Sequence, residues 1–167
     1  MTFHSEALDP GRHVVAAFDS GEPDLDRWLH DHASGAEARR VARMFVWCQG
    51  TGDVVVGYYS LTGHRLVRDD LPKSFGRGSP NDVPAVLLAR LALHGRLHGQ
   101  GLGGALLSDA MERVVAATAL VAARFVVVDA LHETAATFYE HHGFRRIPGT
   151  LRLVQKVSDA AAARTDS

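Results

Sequence analysis

The sequence has a single cysteine, no long apolar run and almost no net charge, and each of these features excludes a class of protein. A chain of 167 residues whose only cysteine is Cys48 has no intrachain disulfide, which agrees with a reducing cytoplasm. No apolar stretch approaches the roughly 20 residues that span a bilayer, and the first residues lack a signal-peptide pattern. We therefore expect a cytoplasmic protein without a membrane segment.

Charge gives no global signal for nucleic-acid binding, because 18 Lys and Arg residues are balanced by 19 Asp and Glu residues. Proteins neutralise phosphates with Lys and Arg, so any contact with RNA needs a local basic patch. Two basic clusters are candidates, each with the alternative of a solvated face. They are Arg39, Arg40 and Arg43, and Arg145, Arg146, Arg152 and Lys156. The ten histidines lack the spacing of metal ligands, so no metal is expected.

Length and hydrophobic pattern predict one domain over residues 1–157, followed by a disordered tail over residues 158–167. Pro23 opens an amphipathic helix on which Leu25, Trp28 and Leu29 share one face. Gly57 lies inside a strand and indicates a bulge or a close backbone approach. The other predicted elements are a strand at 14–18, a helix at 33–41, strands at 44–49, 54–66, 85–93 and 124–128, and a closing hairpin over 144–156.

The centre of the sequence is a glycine-rich turn between an apolar strand and a helix. Residues 98–104 read HGQGLGG. Glycines allow a close backbone approach to a ligand, and a helix start offers unpaired N–H groups and the positive end of the helix dipole. Such a turn suits a pyrophosphate, although a plain glycine-rich turn would look similar. No Gly-Lys-Ser/Thr follows and the spacing differs from Gly-x-Gly-x-x-Gly, so a P-loop is excluded and a dinucleotide fingerprint does not match.

A second motif lies about 40 residues downstream, on a short helix that Gly143 ends. Residues 132–144 read HETAATFYEHHGF. A Phe-Tyr pair on a helix is more often core than catalytic, so the motif gains its weight from following the glycine turn and a buried strand. Strand, helix and strand in this order predict a parallel, right-handed βαβ unit.

The two motifs resemble those of the GNAT N-acetyltransferases. The turn is similar to the acetyl-CoA pyrophosphate loop Arg/Gln-x-x-Gly-x-Gly/Ala, with His98 in the Arg/Gln position and Gly101 and Gly103 on the glycines. The helix is similar to Asn-x-x-Ala-x-x-Leu/Phe-Tyr-Glu-x-x-Gly-Phe, with His132 in place of Asn. The resemblance implies an α+β GNAT fold: a mixed, mostly antiparallel central sheet with a parallel βαβ acetyl-CoA-binding unit, flanked by helices.

The resemblance also implies roles for individual residues. Tyr139 faces the sulfur of CoA and is the candidate general acid, and a backbone N–H within residues 91–93 polarises the acetyl carbonyl. Two substrate-binding candidates come from the residues themselves. Arg90 is a charge in an apolar strand, with a structural ion pair as its alternative. Tyr58 and Tyr59 alternate faces, so one of them could line the acceptor side while the other is core, and Tyr59 is the candidate. The candidate contacts to acetyl-CoA are Leu91, Ala92, Leu93, His98, Gly99, Gln100, Gly101, Leu102, Gly103, Gly104, His132, Ala135 and Phe138.

No residue is singled out as the general base. The candidates near the motifs all have structural alternatives as caps, dipole partners or solvated groups, and they are Asp129, Glu133, Glu140 and His94. An α-amino group has a pKa of about 7.7–8.0 and the amine of an esterified amino acid a lower one, whereas a lysine amine titrates near 10.4. A largely neutral amine needs less help from a base, which favours charged tRNA or a peptide N-terminus as the acceptor.

Further segments extend the resemblance over most of the chain, to the GNAT toxins of type II toxin–antitoxin modules. These segments are residues 18–29, 56–61, 83–85, 88–92 and 128–130. The resemblance implies acetyl-CoA as cosubstrate, aminoacyl-tRNA as substrate, a ribbon-helix-helix antitoxin as partner, a homodimer, and no metal. The alternatives are a GNAT enzyme that acetylates a small amine or a protein N-terminus, and a non-catalytic acetyl-CoA-binding module.

Overall fold

The computed structural model describes residues 1–165, which form seven strands and six α-helices. The strands are β1 (Phe3–Ala7), β2 (Arg43–Gln49), β3 (Val55–Val67), β4 (Asp82–Leu93), β5 (Phe125–Asp129), β6 (Arg145–Arg146) and β7 (Arg152–Lys156). The helices are α1 (Pro23–Asp31), α2 (Ala33–Ala38), α3 (Lys73–Gly76), α4 (Leu102–Thr118), α5 (Glu133–His141) and α6 (Val157–Thr165). Within these residues no helix combines the length and the apolar character needed to cross a bilayer.

The strands form one mixed sheet in the order β1-β2-β3-β4-β5-β7-β6. Strand β4 pairs in parallel with β5, with Ala85–Leu87 opposite Phe125–Val127, and α4 connects these two strands. The pairs β1–β2, β2–β3, β5–β7 and β6–β7 are antiparallel. The predicted mixed, mostly antiparallel sheet with a parallel βαβ unit is therefore confirmed.

The described chain divides into two compact units, and unit 1 comprises residues 1–62 and 89–110. The stripe predicted on α1 packs onto the core of this unit, with Leu29 buried and Leu25 and Trp28 half-buried. Pro23 occupies the first turn of α1, where its missing N–H costs no hydrogen bond.

Gly57 shows both a strand irregularity and a close backbone approach, the two alternatives that its position in a strand predicted. The pairing of β2 with β3 shifts register between Trp47 and Cys48, next to Gly57. A Cβ on Gly57 would lie 3.4 Å from Leu106 Cδ2 and 3.5 Å from the Ala92 carbonyl oxygen. The missing side chain therefore lets α4 and β4 approach this strand closely.

Unit 2 comprises residues 63–88 and the chain from residue 111 onward. Its core contains the β-branched run of β5, in which residues 125–128 are at most 2% exposed. Phe75 and Ile147 pack onto this core from its edge. A continuous β-branched run of this kind is typical of a strand buried on both faces.

Two predicted elements are wrong. Residues 158–165 are helical in α6 rather than disordered, because alanine favours helix and Ala160 buries its methyl group at 1% exposure. The remainder of the predicted tail, residues 166–167, lies outside the described residues. The strand predicted at 14–18 is reduced to one bridge between Val14 and Val54, and the polar Phe3–Ala7 is the edge strand instead. The single domain over 1–157 stays a prediction.

A cluster of charged side chains ties the N-terminal segment to the turn between β2 and β3. Glu6, His13 and Asp53 place three possible metal-ligand atoms within 4.8 Å of one another. Arg12 neutralises both carboxylates, at 2.9 Å from Glu6 and 2.7 Å from Asp53, and His13 Nε2 contacts Glu6 at 2.8 Å. His13 Nδ1 accepts the Asp9 N–H at 2.8 Å. Each group thus already has a partner, and we assign this cluster a structural role.

The Glu6→Gln substitution is expected to lower stability near neutral pH but not in strong acid. Hydrogen bonds from Arg12 and then His13 lower the pKa of Glu6 from 4.5 to about 2. Because the folded-state pKa is the lower one, this stabilisation is complete above pH 4.5 and is lost as the pH falls through about 2. Urea unfolding of both proteins between about pH 2 and 6 should show a difference that shrinks steadily with acid. Equal stability near pH 6 would contradict the prediction.

Candidate active site

The glycine turn lies in unit 1, between the end of β4 and the start of α4. After a short 3-10 helix, Gly95–Leu97, both Gly99 and Gly101 have φ of +76°, a left-handed conformation that glycine adopts without strain. A Cβ at either position would meet no atom within 4 Å, so the space beside the turn is open. Helix α4 then begins at Leu102 with no acidic residue in its first turn.

This geometry fits a phosphate-bearing group such as the pyrophosphate of CoA. The first four N–H groups of a helix lack acceptors within it and carry the positive end of its dipole. Residues 102–105 supply these N–H groups in α4, and the open glycine positions leave room for an anion to reach them. Since the first turn holds no carboxylate, no negative charge within it competes with a phosphate.

His98 and Gln100 point back to their own chain in this turn. His98 Nε2 lies 2.7 Å from the Leu93 carbonyl oxygen, and the His98 N–H donates to the Gly95 carbonyl at 3.1 Å. Gln100 Nε2 donates to the Arg96 carbonyl at 3.4 Å. The His98 ring therefore holds the turn against the end of β4, a role that the sequence pattern did not indicate.

The last residues of β4 offer backbone N–H groups on one defined edge. The His94 N–H donates to the Val56 carbonyl on β3 at 2.8 Å. Successive N–H groups along a strand point to opposite edges, so those of Leu91 and Leu93 point away from β3. Ala92 and Leu93 are buried and Leu91 is half-buried.

Tyr139 lies in unit 2 on α5, whose two ends are both well defined. His132 caps the helix, because its Nδ1 accepts the Ala135 N–H at 3.2 Å, so histidine does here what an asparagine cap would do. Gly143, at φ +92°, ends the helix in the left-handed conformation. The rings of Phe138 and Tyr139 meet edge-to-face at 5.2 Å.

The phenol of Tyr139 is held by packing alone. The residue is 7% exposed, and its ring meets Phe144 edge-to-face at 5.6 Å. Within residues 1–165 its hydroxyl has no hydrogen-bond partner, and burial raises the pKa of Tyr139 well above its ordinary range. The hydroxyl therefore stays protonated at physiological pH and is available to a ligand.

All four candidate general bases have structural partners. Asp129 accepts two hydrogen bonds from Arg152, at 2.7 and 2.8 Å, and these lower the pKa of Asp129 and weaken it as a base. The other contacts are Glu133 to Arg146 at 2.8 Å, Glu140 to Arg146 at 3.1 Å, and His94 to the Arg96 N–H at 3.2 Å. These contacts agree with the structural alternatives and identify no dedicated base.

Among the described residues, Arg90 has an aromatic partner and not the ion pair that was the alternative to substrate binding. Its guanidinium carbon lies 3.9 Å from the centroid of the Trp28 ring, a cation–π contact within unit 1. Burial lowers the pKa of Arg90, an effect that Tyr58 partly opposes. Within the described chain the guanidinium makes no ion pair or hydrogen bond, so its N–H donors remain open to a ligand. No sequence pattern indicated that the Trp28 ring would be the partner of Arg90.

The assignment of Tyr59 as a substrate-binding residue is wrong. Its side chain is fully buried, its hydroxyl donates to Asp109 Oδ2 at 2.7 Å, and its ring packs 5.4 Å from Phe45. Asp109 also accepts the Ser5 hydroxyl at 2.6 Å. The signal that sequence reasoning missed is Asp109, an acidic residue on α4 that points into unit 1 and there accepts the Tyr59 hydroxyl. Tyr58 is buried as well, so neither tyrosine presents a surface to an acceptor.

The sequence profile of the acetyltransferase (GNAT) domain matches residues 40–146, which include the glycine turn and Tyr139. The chain therefore belongs to the GNAT acetyltransferase family. The tRNA-acetylating toxin of Mycobacterium tuberculosis is 38% identical over 149 residues, which are 89% of each chain.

Two solved structures share the fold over almost the whole chain. AtaT complexed with acetyl-methionyl-tRNAfMet has a TM-score of 0.89 at 30% identity and covers 98% of this chain and 99% of its own. A Tyr-to-Phe mutant of the AtaT toxin, bound to the C-terminus of the antitoxin AtaR and to acetyl-CoA, has a TM-score of 0.83 at 28% identity and covers 98% of each chain. The predicted GNAT fold is thereby confirmed.

Proposed function

We propose that this protein is a toxin that uses acetyl-CoA to acetylate the α-amino group of an amino acid carried on tRNA, and so blocks translation. The observation that carries the proposal is the 38% identity to a tRNA-acetylating toxin over 89% of the chain. The structural likeness to AtaT in complex with acetyl-methionyl-tRNAfMet supports it independently.

The glycine turn is the proposed site for the pyrophosphate of acetyl-CoA. Gly99, Gly101 and the N–H groups of residues 102–105 would bind it, because they combine open space with unpaired donors. When bound, acetyl-CoA supplies an acetyl group activated as a thioester. The further residues proposed to contact it are Leu91, Ala92, Leu93, His98, Gln100, Leu102, Gly103, Gly104, His132, Ala135 and Phe138.

The edge of β4 is the proposed source of carbonyl polarisation. The N–H groups of Leu91 and Leu93 point away from β3, as the hydrogen bond from His94 to Val56 requires. A fixed donor that meets developing negative charge on an oxygen typically contributes about 3–4 kcal/mol to the transition state. One of these two N–H groups would fill that role.

Tyr139 is the proposed proton donor to the departing sulfur. Its hydroxyl is protonated and has no partner within the described residues, so it can hydrogen-bond to the sulfur as negative charge develops there. Reference pKa values are about 10 for a phenol and about 8.5 for a thiol, and burial raises the value for Tyr139 further. Proton donation is therefore uphill and needs short range, which the fixed ring favours.

The substrate amine is proposed to react without a strong base. The carboxylates near the motifs are bound to arginines, and the amine of an aminoacyl ester is already largely neutral near pH 8. Arg90 is the proposed contact on the acceptor side, because it is a half-buried cation with open donors.

The proposal extends to the partners of the protein. The AtaT structure with the C-terminus of AtaR supports an antitoxin as partner. We further propose that this antitoxin has a ribbon-helix-helix fold, that the toxin is a cytoplasmic homodimer, and that residues 1–157 act as a single acetyltransferase domain. Sedimentation of the protein with and without a purified candidate antitoxin would measure both assemblies.

Mass spectrometry tests the chemistry. Total aminoacyl-tRNA is incubated with the purified protein and acetyl-CoA, digested with nuclease, and searched for N-acetyl-aminoacyl-adenosine, with a reaction lacking acetyl-CoA as control. The proposal expects this product and thereby the identity of the amino acid. If acetyl-CoA is consumed only with small amines or peptides, the protein is a GNAT enzyme of another kind. If no acceptor is acetylated, the protein is a binding module.

A further inference from the structure

Five cations of unit 2 have no carboxylate partner among residues 1–165, and three of them contact one aromatic pair. We call this set the basic surface, and it consists of Lys73, Arg77, Arg124, Arg145 and Lys156. Four of the five are exposed, and Lys156 is half-buried. The aromatic pair consists of the stacked rings of Phe75 and Phe125, whose centroids are 5.9 Å apart.

Two of the cations lie near Phe75, the half-buried ring of this pair. The Arg145 guanidinium carbon is 5.1 Å and the Lys156 Nζ 5.3 Å from the centroid of Phe75. Arg145 is also fixed by Ser74, whose hydroxyl oxygen accepts its Nη1–H at 3.2 Å. These contacts place positive charge over the aromatic face.

A third cation, Arg124, lies near Phe125, the buried ring of the pair, and is linked to the backbone of Arg77. The Arg124 guanidinium carbon is 5.9 Å from the centroid of Phe125, and Arg124 Nη2 donates to the carbonyl of Arg77 at 3.2 Å. Lys73 begins α3, the helix that contains Phe75. The five cations thus come from four separate stretches of the chain, and only the fold assembles them.

The other cations near this region are already neutralised. Arg146 is bound to two glutamates and Arg152 to an aspartate, so half of the basic cluster predicted over residues 145–156 carries no free charge. The basic surface therefore concentrates unpaired positive charge in a protein whose net charge is −1. Like charges held together repel one another, and an anionic partner removes that cost.

The surface is suited to phosphates more than to a peptide. A docked peptide needs apolar pockets or a free strand edge. Two cations lie near the Phe75 ring, and the edge strand β6 is only two residues long, so it offers a peptide little backbone to pair with. Cavities of about 570 Å³, lined by Arg124 and Lys156, and about 560 Å³, lined by Lys73 and Arg77, offer room at the cations. Asp69 also lines the second cavity but is paired with Arg68 at 3.8 Å. Guanidinium and ammonium groups at separate points match phosphates that recur along a nucleic-acid strand.

We infer that the basic surface binds the phosphate backbone of the tRNA substrate. This inference rests on the proposed function and specifies which face of unit 2 holds the RNA. Because such contacts are made to phosphates, they are expected to be insensitive to tRNA sequence and to weaken steeply with salt.

The test measures binding of deacylated tRNA, so it requires no acetylation. The variant Lys73→Gln/Arg145→Gln/Lys156→Gln removes three charges from the surface, and the control Arg27→Gln/Arg65→Gln removes two from exposed ion pairs outside both candidate basic clusters. Filter binding at several KCl concentrations gives Kd and its salt dependence. The first variant should bind at least tenfold more weakly, with a slope of log K against log salt smaller by about 2–3, since each phosphate contact contributes roughly 0.7–0.9. The second should stay close to wild type.

Single substitutions at Arg145 give a second test of the basic surface. The single substitution Arg145→Gln should lower the salt slope by about 1, and Arg145→Lys should preserve it, whatever the triple variant does to folding. An unchanged Kd and slope in the first variant would overturn the inference. Retained tRNA binding with lost binding to the purified antitoxin would also overturn it, and would assign the surface to a protein partner. Failure of the proposed function would appear separately, as absence of acetylated product with the wild type.

Discussion

The Tyr139→Phe variant is expected to lose at least a hundredfold in kcat for acetyl transfer while keeping its melting temperature. A positioned proton donor contributes roughly 10²–10⁴-fold to a rate, and the substitution removes only the hydroxyl. The ring contacts with Phe138 and Phe144 remain, and within the described chain no hydrogen bond is lost. Steady-state kinetics at saturating acetyl-CoA and a thermal melt measure the two quantities.

Tyr58→Phe is the matched control, because it makes the same chemical change at another buried tyrosine. The Tyr58 hydroxyl donates to the Leu25 carbonyl at 2.7 Å, so the substitution removes one hydrogen bond, at a cost of about 0.5–1.5 kcal/mol. A loss of this size lowers the melting temperature by about 2–4 °C per kcal/mol in a protein of this length. Tyr139→Phe should therefore lose rate and keep its melting temperature, whereas Tyr58→Phe should lower the melting temperature and keep the rate.

A Tyr139→Phe enzyme with wild-type kcat would remove Tyr139 from the chemistry. Acetyl transfer would then depend on positioning and on backbone polarisation alone. A large fall in melting temperature would instead show that the hydroxyl has a structural role, and the rate would have to be measured well below that temperature before any role was assigned.

The Gly101→Asp variant is expected to bind acetyl-CoA about a hundredfold more weakly, with a loss of stability of only about 1 kcal/mol. A carboxylate at the start of α4 interacts favourably with the helix dipole, by about 0.3–1 kcal/mol, which offsets part of the strain of roughly 1–2 kcal/mol for a side chain at φ +76°. The same charge repels a phosphate bound there, by about 3–4 kcal/mol at an effective dielectric near 20. Isothermal titration calorimetry with acetyl-CoA measures the affinity.

Two variants separate charge from shape at this turn. Gly101→Asn has nearly the same size and tolerates the left-handed conformation equally well, so it should lose much less affinity than the aspartate. Gly149→Asp places the carboxylate at φ +77° in the turn before β7, again with no atom within 4 Å of the Cβ, and should leave the affinity unchanged. The difference between Asp and Asn at residue 101 should shrink at high salt, because salt screens the repulsion.

Equal affinities for Gly101→Asp and Gly101→Asn would contradict a phosphate site at the glycine turn. The open space beside Gly99 and Gly101 would then have another occupant. An equal loss of affinity in Gly149→Asp would show that the effect is not specific to this turn.

Local patterns were enough to predict the elements that carry the two motifs. The glycines at 99 and 101 need left-handed backbone, and an amphipathic run follows them, so the turn and α4 can be read from neighbouring residues. The same holds for α5, which ends at Gly143 as predicted. The strand predicted at 14–18 failed because an apolar run does not specify a pairing partner, whereas the polar β1 is held by its hydrogen bonds to β2.

The sequence by itself determined the family, the position of the glycine turn and the tyrosine of the second motif, because these depend on residue order and local backbone preference. Only the tertiary structure decided which charged and aromatic side chains are engaged. It buried Tyr59 against Asp109 and bound Arg152 to Asp129, while it left Arg145 without a carboxylate partner in the described chain. The reason is physical: burial and ion pairing depend on distances between residues far apart in the chain, and no local pattern encodes those distances.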